Sequence, residues 1–114
     1  MTNCIFCKIV NREIPSELIF ETDEVCAFYD VNPVAPIHVL VIPKKHYGNL
    51  EELFNDNPEL STKLLYAVKH IAKQLNINEE GYRLILNCGE NGGQSVQHLH
   101  FHMIGGAKLN IHLV

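Results

Sequence analysis

Near the C-terminal end three histidines alternate with apolar residues, in the order His98-Leu99-His100-Phe101-His102-Met103. Imidazole is the side chain that can be nucleophile, general acid or base, or metal ligand near neutral pH. Strict alternation is the period of a β-strand, which predicts all three imidazoles on one face and Leu99, Phe101 and Met103 on the other. On a helix the same spacing would put His100 roughly opposite its two neighbours. Strand residues two apart are separated by ~6.7 Å, and His98 and His102 therefore by ~13 Å. A straight strand cannot bring all three to one metal with bonds of ~2 Å. The spacing points to divided labour among the three.

The segment just before the row is glycine-rich: Cys88-Gly89-Glu90-Asn91-Gly92-Gly93-Gln94-Ser95. Glycines permit positive φ and close backbone approach, so successive N–H groups can point at a phosphate, with Gln94 and Ser95 as neutral donors. Asn-Gly is equally a hairpin signal, and a plain turn is the competing reading. Cys4-Ile5-Phe6-Cys7 has zinc-knuckle spacing but lacks a second Cys-x-x-Cys. Two further ligands must come from elsewhere, with His46 and His98 as candidates for a closed Cys₂His₂ site. Unligated thiols are the alternative, and a redox pair requires a thioredoxin-like βαβ setting absent here. Asp30 is placed to accept hydrogen bonds from ribose hydroxyls or to serve as a turn residue. Lys44, Lys45 and His70 read as solvated side chains. Cys26 and Cys88 read as small buried hydrophobes.

Elements of the right kind surround these residues. A short helix is expected over 4–11, with Ile5, Phe6 and Ile9 grouped at helical spacing. Strands are expected over 18–21, 25–29, 38–42, 82–87 and 96–104. One helical turn is expected at 50–54 and the main helix over 58–75. Its apolar stripe contains Leu60, Leu64, Leu65, Val68, Ile71, Ala72 and Leu75. Short strands around one long helix predict an α+β fold on a mostly antiparallel, five-stranded sheet. The last eight residues show no clear pattern.

The 114 residues suit a single domain, 1–114, and nearly half of them are apolar, which favours a packed core over disorder. The formal charge of −4 argues against general nucleic-acid binding. The N-terminus lacks the apolar stretch of a signal peptide, and no run reaches the ~20 apolar residues of a membrane helix. Four cysteines without such a signal indicate a reducing cytoplasm.

Together these residues resemble the histidine triad (HIT) family, whose mark here is His98-Leu99-His100-Phe101-His102-Met103-Ile104. The resemblance extends to the Cys4–Ile9 segment, Ile14-Pro15, Ala27-Phe28-Tyr29-Asp30, residues 35–46 and Gly92-Gly93-Gln94-Ser95. It is nearest the Hint-like nucleoside phosphoramidases. It implies a HIT-like fold and a homodimer that hydrolyses purine nucleoside phosphoramidates (AMP or GMP derivatives). His100 would attack the α-phosphorus, with His38, His98 and His102 completing the cluster and Ser95 near the scissile bond. Asn87, Gly93, Gln94 and Ser95 would bind phosphate together with His100 and His102. Asp30 would take the ribose with Val31 beside it, and Ile5, Phe6, Ile9 and Phe28 would flank the base. Cys4, Cys7, His46 and His98 would hold a structural zinc, with no redox cofactor. Cleavage of dinucleoside polyphosphates is the alternative enzymatic reading. Nucleotide binding with incidental hydrolysis is the alternative from another class. Related chains commonly carry a tryptophan after the glycine pair, whereas this chain has none and ends Lys108-Leu109-Asn110-Ile111-His112-Leu113-Val114.

Overall fold

The computed structural model describes residues 3–110, so residues 111–114 of the tryptophan-free tail lie outside the described residues. Within them the elements run α1 (Ile5–Val10), β1 (Leu18–Glu21), β2 (Val25–Tyr29), β3 (Ile37–Pro43), α2 (Leu50–Asp56), α3 (Leu60–Gln74), β4 (Tyr82–Leu86) and β5 (Phe101–Gly105). The strands form one antiparallel sheet in the order β1-β2-β3-β5-β4. This is the α+β arrangement expected. None of the described helices is long and apolar enough to cross a membrane.

Strand alternation sorts the side chains into two layers. Val25 and Ala27 of β2, Val39 and Val41 of β3, and Met103 of β5 face α3 and join Leu53, Leu60, Leu64, Val68 and Ile71 in the larger core. Cys26, Phe28, Leu40 and Ile42 face the other way and pack with Phe6 and Ile9 of α1. Strand β3 is buried on both faces, which explains its unbroken apolar run. Because side chains alternate, His38 shares the α1 face with Leu40 and Ile42. His102, opposite Leu40 on β5, lands on that face too.

Four sequence expectations need correction. The fifth strand begins at Phe101 rather than at 96. Its partner β3 ends at Pro43, which has no N–H to continue the ladder, and β4 ends at Leu86, opposite Phe101. Leu65 is 50% exposed: at 3.6 residues per turn it lies outside the arc of Leu60, Leu64, Ala67, Val68, Ile71 and Ala72 that is buried. Cys88 is exposed at the start of the glycine loop, whereas Cys26 is buried as expected. Lys44 has a side chain only 23% exposed and pairs with Glu21 of β1 at 2.7 Å, whereas Lys45 is solvated as expected and pairs with Asp56 of α2 at 2.9 Å.

Candidate functional site

Two clusters of imidazoles form on the α1 side of the sheet. The first gathers around Cys4, the N-cap of α1, whose sulfur accepts the Cys7 N–H at 3.3 Å. His98 Nδ1 lies 3.3 Å from Cys4 Sγ and 3.7 Å from Cys7 Sγ, and His46 Nδ1 lies 3.4 Å from Cys7 Sγ. All four donor atoms lie within 4.8 Å of one another. Tetrahedral zinc spaces sulfur and nitrogen ligands ~3.4–3.8 Å apart, close to the three separations above, so the donor set suits that ion. The other nitrogen of His98 is fixed as well. Its Nε2–H donates to the Pro43 carbonyl at 2.8 Å, since a carbonyl can only accept, and Nδ1 presents a lone pair to the sulfurs. Burial pushes the His98 pKa down to about 4, against the Pro43 carbonyl, which favours the proton. The fold therefore holds the neutral imidazole, the protonation state that metal ligation would require. Burial and the Cys4 sulfur push the Cys7 thiol up to about 11, a shift that a bound divalent cation would reverse.

The second cluster contains His38, His100 and His102. His100 is 3% exposed, and its Nδ1–H donates to the His98 carbonyl at 2.8 Å. In the neutral ring the lone pair is therefore on Nε2. Phe6 stands edge-on to both His98 and His100, with ring centres 5.7 and 5.1 Å away, so α1 packs directly against the row. His38, also buried, accepts the Val34 N–H at Nδ1 (3.2 Å) and reaches His102 Nδ1 with Nε2 (3.0 Å). Asp30 Oδ2 lies 3.4 Å from the same Nε2, while Oδ1 accepts the Asn32 N–H at 2.8 Å. Asp30 is thus both a turn residue and a member of the cluster. The His102 pKa is lowered by burial first, then by His100 and His38, with Asp30 opposing. The row is one-sided as alternation requires: Leu99, Phe101 and Met103 belong to the α3 core. It is also divided, with His98 at the sulfurs and His102 at His38.

The glycine loop is folded on itself. The N–H groups of Gly92, Gly93 and Gln94 donate to carbonyls of Gly89 and Glu90 within the loop, and Gly89 N–H donates to Gln94 Oε1 at 2.9 Å. These four groups are therefore not aimed outward, contrary to the simplest phosphate-cradle expectation. A Cβ on Gly92 would lie 2.4 Å from the Cys88 carbonyl oxygen, and Gly93 has φ +76°. The turn thus requires glycine at both positions. Gln94 is 8% exposed, and its Nε2 donates to the carbonyls of Gly48 and Val96. Asn87 Nδ2 donates to the Gly92 carbonyl at 2.8 Å. Asn87 and Gln94 thus shape the loop, and Ser95 stands exposed at its end.

The residues expected around a base divide by exposure. Phe6, Ile9 and Phe28 are buried, the two rings edge-to-face at 5.5 Å, whereas Ile5 and Val31 are 48% and 87% exposed. His70 is remote from both clusters, on the exposed side of α3, where it packs on Phe20 and Tyr66. Sequence reasoning missed the backbone groups that set the imidazole protons, namely the Val34 N–H and the carbonyls of Pro43 and His98. No side-chain pattern announces them.

A family model described as the HIT domain matches residues 11–109. A histidine triad protein from Clostridium difficile superposes with a TM-score of 0.94 at 45% identity, over 99% of this chain and 98% of that one. A HIT family hydrolase from Legionella pneumophila gives a TM-score of 0.90 at 41% identity, over 96% and 97% of the two chains. A histidine triad nucleotide-binding protein from Candida albicans gives 0.83 at 34% identity, over 98% and 86%.

Proposed function

The chain belongs to the HIT family, and from that premise we propose that it is a nucleotide hydrolase cleaving the α-phosphorus bond of purine nucleoside phosphoramidates through His100. The observation that carries this reading is the hydrogen bond from His100 to the His98 carbonyl. With Nδ1–H held by the His98 carbonyl, the neutral imidazole of this buried residue has its lone pair on Nε2, the form needed for attack. Among its structural relatives, one described as a hydrolase supports hydrolysis and one described as nucleotide-binding supports a nucleotide ligand.

In the first step an Nε2–P bond forms, the P–N bond breaks, and the departing amine takes up a proton. In the second, water attacks phosphorus, the Nε2–P bond breaks, and the water's lost proton balances the one consumed. Nucleoside monophosphate and amine are released. His102 and Ser95 flank the reacting phosphorus in this reading. Asp30 receives the ribose beside Val31, and Ile5 meets the base above the buried Phe6, Ile9 and Phe28. Asn87, Gly93 and Gln94 act by holding the loop that presents Ser95. Cys4, Cys7, His46 and His98 hold zinc, which when bound supplies a crosslink and no step of the reaction. The family resemblance supports a homodimer, and the unpaired thiols support a cytoplasmic setting.

The test is turnover of an adenosine 5′-phosphoramidate by wild type and His100→Ala, with acid-quench trapping of adenylyl-histidine. Wild type should turn over and trap label on His100, and the variant should do neither. Unchanged turnover in His100→Ala would sink the mechanism.

A further inference from the structure

We infer that the backbone N–H of Val34, in the proline-bounded loop Asn32-Pro33-Val34-Ala35-Pro36, is a positioning group that makes the outer nitrogen of His102 a hydrogen-bond donor. An amide N–H can donate and cannot accept, so His38 Nδ1, 3.2 Å away, must carry a lone pair. The His38 proton is then on Nε2. That nitrogen lies 3.0 Å from His102 Nδ1, with Asp30 Oδ2 farther off at 3.4 Å. Two N–H groups cannot face each other across 3.0 Å, so His102 Nδ1 is the acceptor and its proton sits on Nε2.

The cluster is built to keep this order. His38 is 5% exposed, so water does not compete for its nitrogens. Its position on β3, diagonal to His102 on β5, is set by the sheet register. Burial lowers the His102 pKa, which favours the neutral imidazole that the order requires. A donor fixed by backbone and sheet needs no reorganisation when charge develops on a phosphoryl oxygen.

The catalytic consequence rests on the reading of the chain as a nucleotide hydrolase; the proton order does not. The two are therefore tested separately. Imidazole ¹⁵N–¹H correlation spectra of the zinc-loaded wild-type protein near pH 8, without substrate, should show His38 and His102 both protonated at Nε2. Either one protonated at Nδ1 overturns the inference, whatever the enzyme turns over.

The second arm replaces residue 34 by the α-hydroxy acid of valine, which exchanges the amide N–H for an ester oxygen and keeps the side chain. Val34→Ala, which keeps the N–H, is the control for the exposed side chain. The ester protein should move the His38 proton to Nδ1 and the His102 proton to Nδ1 as well, while Val34→Ala keeps the wild-type spectrum. With an adenosine 5′-phosphoramidate, the ester protein should lose about 100- to 1,000-fold in kcat with KM little changed, as for a lost transition-state donor. Wild-type proton positions in the folded ester protein overturn the role of Val34. Moved protons with unchanged kcat overturn the catalytic consequence alone. If the ester protein does not fold, the wild-type spectrum still decides the proton order.

Discussion

His98, His100 and His102 differ most in what their inner nitrogens meet: sulfur, a carbonyl and another imidazole. The same residue type therefore takes two tautomers in one short segment, with the proton on Nε2 in His98 and His102 and on Nδ1 in His100. Unfolded histidine takes a proton near pH ~6.5, whereas in the metal-free fold His98 resists protonation down to about 4. Between those values the unfolded chain binds more protons than the folded one, so stability falls as pH drops through the window. His102, whose pKa is lowered by burial, acts in the same direction. Denaturant titrations of metal-free protein between pH 7 and 4 should show this fall, and a flat profile would contradict the assignment. At the alkaline end, burial raises the Cys26 thiol from 9.0 to about 11, so its contribution is lost as pH rises through that interval.

Among the elements, α3 and the glycine loop make the sharpest predictions. Leu64 and Leu65 are adjacent, and hydrophobic periodicity assigns both to the buried stripe. Leu64 is 1% exposed and Leu65 is 50% exposed. Leu64→Ala should cost ~2–5 kcal/mol of unfolding free energy, and Leu65→Ala only ~0.5 kcal/mol or less, both read from urea melts. Gly92→Ala must displace the Cys88 carbonyl and with it the loop, lowering phosphoramidate turnover more than thermal stability. Equal wild-type turnover would show the loop shape to be unimportant. The sequence made these elements legible where local periodicity decides them: β1, β2, α1 and the alternation of Leu99, Phe101 and Met103. It left the start of β5 unread because Pro43, far away in the chain, ends the ladder there. It left Leu65 unread because that residue flanks the apolar arc, where burial is decided by the neighbouring elements and not by the helix's own periodicity. The side chains of both imidazole clusters could be named from sequence. Their proton positions could not, because backbone groups from other elements fix them.

At the scale of the whole molecule, the sulfur–imidazole cluster joins parts that no strand pairing joins. Cys4 and His98 are 94 residues apart, and His46 lies just beyond β3. The Arg12–Glu21–Lys44 ion pairs, each 2.7 Å, fasten the other end of α1 to the same sheet. Purified protein should carry one zinc per chain by elemental analysis. Its removal by a chelator should lower Tm and slow nucleotide turnover together, since α1 carries the Phe6 ring that packs on His100. Restored zinc should recover both, and recovery of neither would argue against a crosslinking role.

Because Pro43 ends the ladder, the histidine row straddles a mechanical boundary. His102 belongs to a five-residue strand paired on both sides. The segment before it is tied through Leu99 N–H to the Tyr47 carbonyl at 2.7 Å and through the His98 side chain. Native-state hydrogen exchange should therefore split the row. The amides of β5 should exchange only through global unfolding, and that of Leu99 through a cheaper local opening. Loading zinc should close that gap, because the ion would bind the looser half of the row to a helix at the opposite end of the chain.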